Sequence, residues 1–353
     1  MSSSNSSGSP RTLPLAGCPV CGSSDARSVL EMPDRLHGIP GTYVYRRCDE
    51  CRTVFQDPAV ISDDLPLCYP SNYYTHDASL MNSGAKIADE DGLRGQIRRA
   101  VLHSSDGAPA GNLPFRLLFI GRVISIWSTI RTRARFGIPD VLANCGSQPG
   151  RCLEVGPGRG DTLANLRRLG WDAIGLDIDP IAAEAAQKLS GCEVRVGRLI
   201  SADLPHRYFD LIYMSHVLEH LPDLLPSLRL IYELLKPGGR LALVYPNSDS
   251  LGGRWLGEYS PIWDPPRHFV LPPISAIREV LEKTSFKQIQ AKTRARGAAR
   301  NRAVARGYRD GRGESHGFNV KVDASDRAFA AIERVLVVLG MAVGEEIFVT
   351  ARK

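Results

Sequence analysis

Four of the eight cysteines form two close pairs, and their spacing is typical of a metal site. Cys18 and Cys21 are separated by two residues, as are Cys48 and Cys51. Four thiolates at this spacing can close a tetrahedral shell around zinc, and so short a segment needs such a staple to fold. A shell of four sulfur ligands leaves no open position, so we predict a structural zinc ion.

A glycine-rich stretch, LEVGPGRGD, follows a predicted strand and begins a predicted helix. Gly156, Gly158 and Gly160 allow a tight turn and a close approach of the backbone to a ligand. The dehydrogenase fingerprint G-x-G-x-x-G differs, because here the third glycine comes one residue early. Asp177 ends the next predicted strand, where a carboxylate can accept hydrogen bonds from both hydroxyls of a ribose. These features predict a cofactor that contains a nucleoside.

Three further motifs accompany the glycine loop, namely Phe209 to Ile212 (FDLI), Val217 to Leu221 (VLEHL) and Leu235 to Gly239 (LKPGG). Together with the loop and Asp177, they resemble the class I S-adenosylmethionine-dependent methyltransferases, especially the ubiquinone-biosynthesis-like branch. The resemblance extends over residues 150–290 and the last predicted strand. It implies a Rossmann-like α/β fold with a seven-stranded sheet whose last strand is antiparallel.

The resemblance also implies where S-adenosylmethionine binds. Its methionine moiety would lie over the glycine loop, its ribose on Asp177, and its adenine beside the loop that starts at Gly197. Many relatives have an Asp directly after that glycine to bond the adenine amine, whereas this chain has Arg198. The implied cofactor-binding residues are Glu154, Gly156, Gly158, Gly160, Asp177, Leu199 and Met214.

Methyl transfer to a hydroxyl or an activated carbon requires a base, and histidine suits this task near neutral pH. His268, in the sequence WDPPRH, is our first candidate, with Arg267 as the partner of an anionic acceptor. The alternative is that His268 orders its loop. His216 and His220 follow the fourth predicted strand, after which this fold binds its acceptor, and His216 is the second catalytic candidate.

His216, Glu219 and His220 share one predicted helical face and could hold a divalent metal ion. Ubiquinone O-methyltransferases have two carboxylates and a His here, which implies magnesium. This chain has His216 where those enzymes have the first Glu. The alternative for Glu219 and His220 is helix capping and packing.

Alternating short apolar runs and helical stretches in the second half of the chain predict a parallel α/β sheet. We predict a disordered tail over 1–12, a zinc-binding module over 13–76, a linker with lead-in helices over 77–149, and the methyltransferase domain over 150–353. A basic and then apolar insertion over about 292–344 interrupts that domain. The predicted strands of the sheet are 152–155, 173–176, 193–196, 211–214, 241–245, 286–291 and 346–351.

The net charge of +6 is concentrated in two segments. Residues 94–135 contain eight Arg and one acid, and residues 291–313 contain eight Lys and Arg against Asp310. A basic helix predicted near 113–135, with Trp127 on its apolar face, suits peripheral membrane contact; packing on its own domain is the alternative.

No run of 18 uncharged apolar residues occurs, and the Ser-rich start resembles no secretory signal, so we expect a cytoplasmic protein.

The predicted function is S-adenosylmethionine-dependent methylation of oxygen or carbon on a small-molecule acceptor, such as a sugar, quinone-like or natural-product intermediate. The cysteine pairs followed by VFQDP and YPSNYY look like methyltransferases that carry an N-terminal cysteine module and often act on sugars or natural products. Alternatives are an RNA methyltransferase and a non-catalytic zinc-containing binding protein. The segment Asp264 to Arg267 lacks the aromatic of a D-P-P-Y box, which argues against nucleic-acid bases as acceptors. The residues predict neither the acceptor nor an oligomeric state.

Overall fold

The computed structural model describes residues 8–69, 93–106, 112–124, 149–311 and 320–353. The strands, in chain order, are β1 Thr12–Leu13, β2 Ala26–Met32, β3 Tyr43–Cys48, β4 Val54–Gln56, β5 Ala59–Val60, β6 Arg151–Val155, β7 Asp172–Asp177, β8 Val194–Val196, β9 Phe209–Ser215, β10 Leu235–Pro246, β11 Val270–Leu271, β12 Lys287–Arg294 and β13 Glu346–Arg352. The α-helices are α1 Leu93–Asp106, α2 Phe115–Ile124, α3 Asp161–Arg168, α4 Pro180–Ser190, α5 Leu224–Leu234, α6 Leu251–Leu256, α7 Ile274–Lys283, α8 Ala298–Arg309 and α9 Ala324–Val338.

Seven strands form one sheet in the order β12-β13-β10-β9-β6-β7-β8. β6 pairs in parallel with both β7 and β9, and β7 pairs in parallel with β8. Two backbone hydrogen bonds show that β13 is antiparallel to β10. Gly238 N, near the start of β10, donates to Lys353 O just after the end of β13, and Asn247 N, just after the end of β10, donates to Glu345 O just before the start of β13. This arrangement confirms the predicted Rossmann-like sheet with an antiparallel last strand.

The strands and helices of this sheet follow from their apolar patterns. Parallel strands are covered on both faces, so β6 and β9 are nearly continuous buried runs, and Leu153, Leu211 and Ile212 are fully buried. Asp179 caps α4 by accepting from Ile181 N, and Pro180 occupies the first helical position. The turns at these strand ends are therefore fixed by local chemistry.

A second sheet has the order β11-β4-β3-β2, and its edge strand comes from far along the chain. β4 pairs antiparallel with β11, with Phe55 opposite Val270 and Val54 opposite Leu271. The segment 11–69, here called the cysteine module, thus shares a sheet with residues that follow the fifth strand of the large sheet. β1 pairs with β5, so Thr12 and Leu13, at the boundary of the predicted tail, are in a strand.

Chain contacts group the residues into two compact units. One contains residues 1–73, 216–229 and 243–349, and the other contains 74–215, 230–242 and 350–353. The predicted insertion contains α8 and α9, which pack on each other. Much of the predicted linker, and residues 125–135 of the predicted basic helix with Trp127, lie outside the described residues. Within the described part of the chain, no helix has both the length and the apolarity needed to cross a bilayer.

Candidate active site and metal site

The four paired cysteines come together as the sequence predicted. The Sγ atoms of Cys18 and Cys51 are 3.5 Å apart, as are those of Cys21 and Cys48, and all four lie within 4.8 Å of one another. Tetrahedral zinc with bonds of about 2.3 Å separates its sulfur ligands by about 3.8 Å. The four sulfur atoms therefore fit a zinc ion without rearrangement of the backbone.

Both cysteine pairs lie on turns of the same construction. Cys18 N donates to Ser23 O and Cys48 N donates to Thr53 O, at 2.8 and 2.9 Å. The residue after the second cysteine of each pair has a positive φ, which is 82° for Gly22 and 65° for Arg52. The contact between the Sγ atoms of Cys18 and Cys51 lowers the pKa of Cys51 and raises that of Cys18, so the pair shares one proton and favours one thiolate, the form that binds metal.

The glycine loop, Gly156 to Gly160, connects β6 to α3. Its three glycines have φ values of 66°, 53° and 86°, which disfavour any residue with a Cβ. The roles of the last two differ. A Cβ on Gly160 would lie 2.7 Å from Ala186 O, whereas a Cβ on Gly158 would meet nothing within 4 Å. Gly160 permits α3 to pack closely on α4, and Gly158 leaves open space above the loop.

Two carboxyl groups flank the glycine loop in different environments. The Asp177 carboxylate accepts from Asp179 N at 3.0 Å and from Gly158 N, while burial raises its pKa to about 6. Glu154 is fully buried in β6, and burial raises its pKa well above the ordinary range. Asp177 is thus the acceptor of hydrogen bonds at this strand end, and Glu154 belongs to the interior beneath it.

Two other residues that the resemblance implies for cofactor binding have buried side chains. Met214 in β9 is completely buried, and Leu199 is 4% exposed at the start of a 3-10 turn that follows β8. Both side chains therefore pack within the fold, and any contribution to a cofactor site comes through the shape of the strand ends that they support.

Three histidines and a glutamate form a second group, here called the histidine cluster: His216, Glu219, His220 and His268. His216 follows β9 directly, and Glu219 and His220 lie in the next 3-10 turn. Phe269 N donates to Glu219 O at 2.7 Å, which ties this turn to the loop that carries His268. The rings of His220 and His268 meet edge to face with centroids 4.8 Å apart.

Backbone carbonyls fix the orientation of two of these imidazoles. His268 Nδ1 donates to Ile262 O at 2.7 Å and His220 Nδ1 donates to Arg267 O at 2.9 Å, since a carbonyl only accepts. In the neutral rings, Nε2 therefore carries the lone pair. His268 Nε2 lies 3.9 Å from a carboxylate oxygen of Glu219 and 3.9 Å from one of Asp264. The Nε2 side of His268 therefore faces two carboxylate groups.

The remaining members of the cluster differ in protonation. Partial burial of His216, whose side chain is 46% exposed, opposes its charged form, but Glu219 and Glu346, at 3.3 and 3.5 Å, outweigh this and raise its pKa to about 10. Burial and the neighbouring His268 lower the pKa of His220 to about 4. At neutral pH, His216 is a cation that balances two carboxylates, and His220 is neutral.

Glu219 is the least satisfied group of the cluster. Its side chain is completely buried, and among the described residues neither carboxylate oxygen accepts a well-aligned hydrogen bond, although His216 Nδ1 lies 3.3 Å from one of them. Ligand atoms of Glu219, His220 and His268 lie within 4.8 Å of one another and could hold a metal ion. This set differs from the expected one, because His268 replaces His216.

Arg267 is completely buried and its guanidinium is fully occupied. It makes bidentate contacts with Asp34, at 2.8 and 3.0 Å, and with Asp264, at 2.7 and 3.0 Å. Two further hydrogen bonds go to the carbonyls of Cys68 and Pro265. The expectation that Arg267 meets an anionic acceptor therefore needs correction, since the partners of this cation are carboxylates of the chain itself.

The cysteine module holds the loop that carries His268. The hydroxyl of Tyr45, in β3, is shared between the carbonyls of Trp263 and His268. Gln56 N donates to Phe269 O at 2.9 Å, and Asp34 supplies one carboxylate to Arg267. Strand β11 then continues the loop into the sheet of the module. The module is thus the support of His268.

Comparison with known proteins agrees with this geometry. Residues 126–291 match a family described as "Methyltransferase domain". This part of the chain, just under half of it, therefore resembles a methyltransferase domain. It is 29% identical over 112 residues to a "Ubiquinone biosynthesis O-methyltransferase" of Alkalilimnicola ehrlichii, and 36% identical over 102 residues to a "Trans-aconitate 2-methyltransferase" of Methylobacterium radiotolerans. These matches cover 29% and 27% of this chain, and the chain spans 44% and 37% of the two relatives, less than half of each.

Among solved structures, the methyltransferase domain is similar to a "SAM dependent methyltransferase from Archaeoglobus fulgidus". The sequence identity is 19%, the TM-score is 0.44, and the match covers 68% of this chain and 100% of that chain. The expected resemblance to the class I methyltransferases, drawn from the motifs, is confirmed by the family match.

The sequence did not reveal several partners of the methyltransferase domain's histidine cluster. Asp34 is 233 residues from Arg267, and Tyr45 is 223 residues from His268. Glu346 reaches His216 from the last strand. Two of the partners lie in segments that the sequence had singled out. Asp264 belongs to the D-P-P-R segment, and Tyr69 begins the YPSNYY segment. The Tyr69 hydroxyl lies 3.4 Å from His220 Nδ1.

Proposed function

We propose that this protein transfers a methyl group from S-adenosylmethionine to an oxygen or carbon atom of a small-molecule acceptor, with His268 as the base. The observation that carries the proposal is the orientation of His268, whose Nδ1 donates to Ile262 O and whose Nε2 faces two carboxylates. His216, Glu219 and His220 follow β9, a strand that pairs with β6, from which the glycine loop continues.

In this proposal the glycine loop and Asp177 bind the donor. S-adenosylmethionine supplies an electrophilic methyl group, which an acceptor attacks in line with the departing sulfur. The open space above Gly158 admits the methionine moiety, and the Asp177 carboxylate accepts from the ribose hydroxyls. Glu154, Gly156, Gly160, Leu199 and Met214 shape the loop and the strand ends from within.

In this proposal the histidine cluster removes the proton of the acceptor. His268 Nε2 takes the proton from the acceptor hydroxyl or activated carbon, and the Glu219 and Asp264 carboxylates stabilise the resulting imidazolium. His216 keeps the charge of Glu219 balanced, and His220, with its pKa lowered to about 4, stays neutral beside His268.

We also propose that the four-cysteine site holds structural zinc. The fit of the four sulfur atoms and the thiolate character of Cys51 support this assignment. Cys18, Cys21, Cys48 and Cys51 would be its ligands. Through Asp34 and Tyr45, the folded module then keeps Arg267 and the loop of His268 in place.

The test of the base is the variant His268→Gln, assayed for methyl transfer from labelled S-adenosylmethionine into a panel of hydroxylated sugars, phenols and enolisable carbonyl compounds. We expect turnover to fall by about 10²–10⁴-fold. The affinity for S-adenosylhomocysteine, measured by calorimetry, should stay unchanged. His220→Gln is the matched control, and full turnover by His268→Gln would remove His268 from the mechanism.

A second candidate mechanism uses a divalent metal ion on Glu219, His220 and His268 to acidify the acceptor. The observation that favours it is the buried Glu219 carboxylate, whose oxygens accept no well-aligned hydrogen bond among the described residues. Metal analysis separates the two mechanisms. One metal equivalent per chain supports His268 as the base, whereas a second equivalent that Glu219→Gln removes would favour the metal.

A further inference from the structure

Helix α2 exposes large apolar side chains on one face. Phe115, Phe119 and Val123 follow one another at intervals of four residues, so they lie on one stripe of the helix. Phe115 is 82% exposed and Phe119 is 61% exposed, and Ile120 beside them is also exposed. Single exposed apolar residues are common, but a contiguous stripe with two phenylalanines is not.

The opposite face of α2 already has a partner. Gly121 is buried against α1, where an added Cβ would lie 2.6 Å from the Cβ of Ala100. The two helices pack closely over this contact. The helix face that contains Gly121 is therefore covered by α1. The stripe of Phe115, Phe119 and Val123 lies on the other side of α2 and is not covered by α1.

The charges around the stripe have one sign. Arg116 and Arg122 are exposed on α2. From residue 107 to residue 135, the sequence contains five Arg and neither Asp nor Glu. An exposed apolar stripe flanked by arginines is the pattern of helices that lie in the interface of an anionic bilayer, with the apolar side chains among the acyl chains and the cations at the headgroups.

We propose that α2 docks on the surface of an anionic lipid bilayer. A second copy of the chain fits less well, because a symmetric contact over this stripe would bring the arginines of two identical surfaces together. RNA would engage the arginines, but it gives the aliphatic Ile120 and Val123 nothing to bind. The bilayer is the partner that uses both the apolar side chains and the cations.

Flotation of the full-length protein tests the proposal, with vesicles of phosphatidylcholine alone or mixed with phosphatidylserine. We expect flotation with the phosphatidylserine vesicles and a marked decrease at high salt. Arg116→Gln with Arg122→Gln should weaken binding by about 30-fold, from about fivefold per arginine. Phe115→Ser with Phe119→Ser should weaken it by about tenfold or more.

Two controls keep the result specific. Val335→Ser with Leu339→Ser removes comparably exposed apolar side chains, 57% and 71% exposed, from the far end of α9 and should leave flotation unchanged. Unchanged affinity for S-adenosylhomocysteine shows that each variant is folded. Absence of flotation with phosphatidylserine vesicles, an equal loss in the α9 variant, or binding to RNA in preference to these vesicles would each overturn the proposal.

Discussion

The glycine loop and the histidine cluster differ in what the fold has to hold in place. The loop presents backbone groups and one carboxylate from two adjacent strands, so its shape depends on the φ values of three glycines. The histidine cluster presents side chains from two parts of the chain, the turn after β9 and the loop of His268, and ion pairs with Asp34, Asp264 and Glu346 hold these two parts. The loop therefore depends on local conformation, whereas the cluster depends on the intact cysteine module and its long-range contacts.

The largest expected effect comes from removing one cysteine of the metal site. Cys48→Ser should lose zinc and with it the folding energy that the metal supplies, about 10–16 kcal/mol for a structural zinc site. The module should then lose protection from proteolysis, while the glycine loop still binds S-adenosylhomocysteine. Zinc content and calorimetry measure the two effects, with Cys192→Ser, a buried cysteine outside the metal site, as the control.

Loss of both zinc and cofactor binding in Cys48→Ser would break the comparison, because it would show that the glycine loop also depends on the module. Retention of zinc would instead contradict the assignment of the four cysteines as its ligands.

The next largest effect is expected at the buried arginine. Arg267→Ala leaves Asp34 and Asp264 buried without their cation, which should lower the free energy of unfolding by about 3–5 kcal/mol. Urea denaturation measures the loss. Arg254→Ala, whose exposed side chain is 3.7 Å from Asp249, should change stability by less than about 1 kcal/mol. Equal losses in the two variants would contradict a structural role for Arg267.

The glycine loop offers a matched pair of smaller effects. Gly160→Ala places a Cβ 2.7 Å from Ala186 O at a φ of 86°, and should destabilise folding by about 2–4 kcal/mol. Gly158→Ala has no such clash and should cost about 1–2 kcal/mol of backbone strain while weakening S-adenosylhomocysteine binding. Thermal unfolding and calorimetry on both variants separate packing from ligand contact. The reverse order of stabilities would refute this division of roles.

The smallest effect concerns pH. Burial raises the pKa of Asp177 to about 6, so its carboxylate becomes protonated as the pH falls below 6 and then accepts fewer hydrogen bonds from a ribose. Affinity for S-adenosylhomocysteine should be constant above pH 7 and should fall by up to about tenfold per pH unit below 6. Calorimetry across this range measures the decline. Asp177→Asn should bind weakly at every pH, and a wild-type affinity that stays constant down to pH 5 would exclude the proposed ribose contact.

The sequence predicted those parts that depend on local chemistry. The alternation of apolar runs predicted a parallel α/β sheet, to which the family resemblance added the number of seven strands. The glycine spacing predicted the loop after β6, and the two cysteine pairs predicted their own cluster. Each of these signals lies within a few residues, or repeats with a period that secondary structure imposes.

The histidine cluster was only half predicted, for a physical reason. His216 and His268 were found as candidates, but their protonation and orientation depend on Glu346, Asp264 and the carbonyl of Ile262. The role expected for Arg267 was wrong, since a charge in a loop gives no sign that a carboxylate 233 residues away will bury it. Strand β11 is two residues long, too short for any period to reveal it.

The strand β11 has a consequence for any attempt to divide the protein. A chain shortened to residues 150–353 would remove β4, the hydrogen-bonding neighbour of Val270 and Leu271. Those two residues are almost fully buried, so the cut would uncover apolar side chains and an unpaired strand edge together. Such edges recruit other chains. The fragment would then be recovered as an aggregate, even though every residue proposed to bind the donor is present in it.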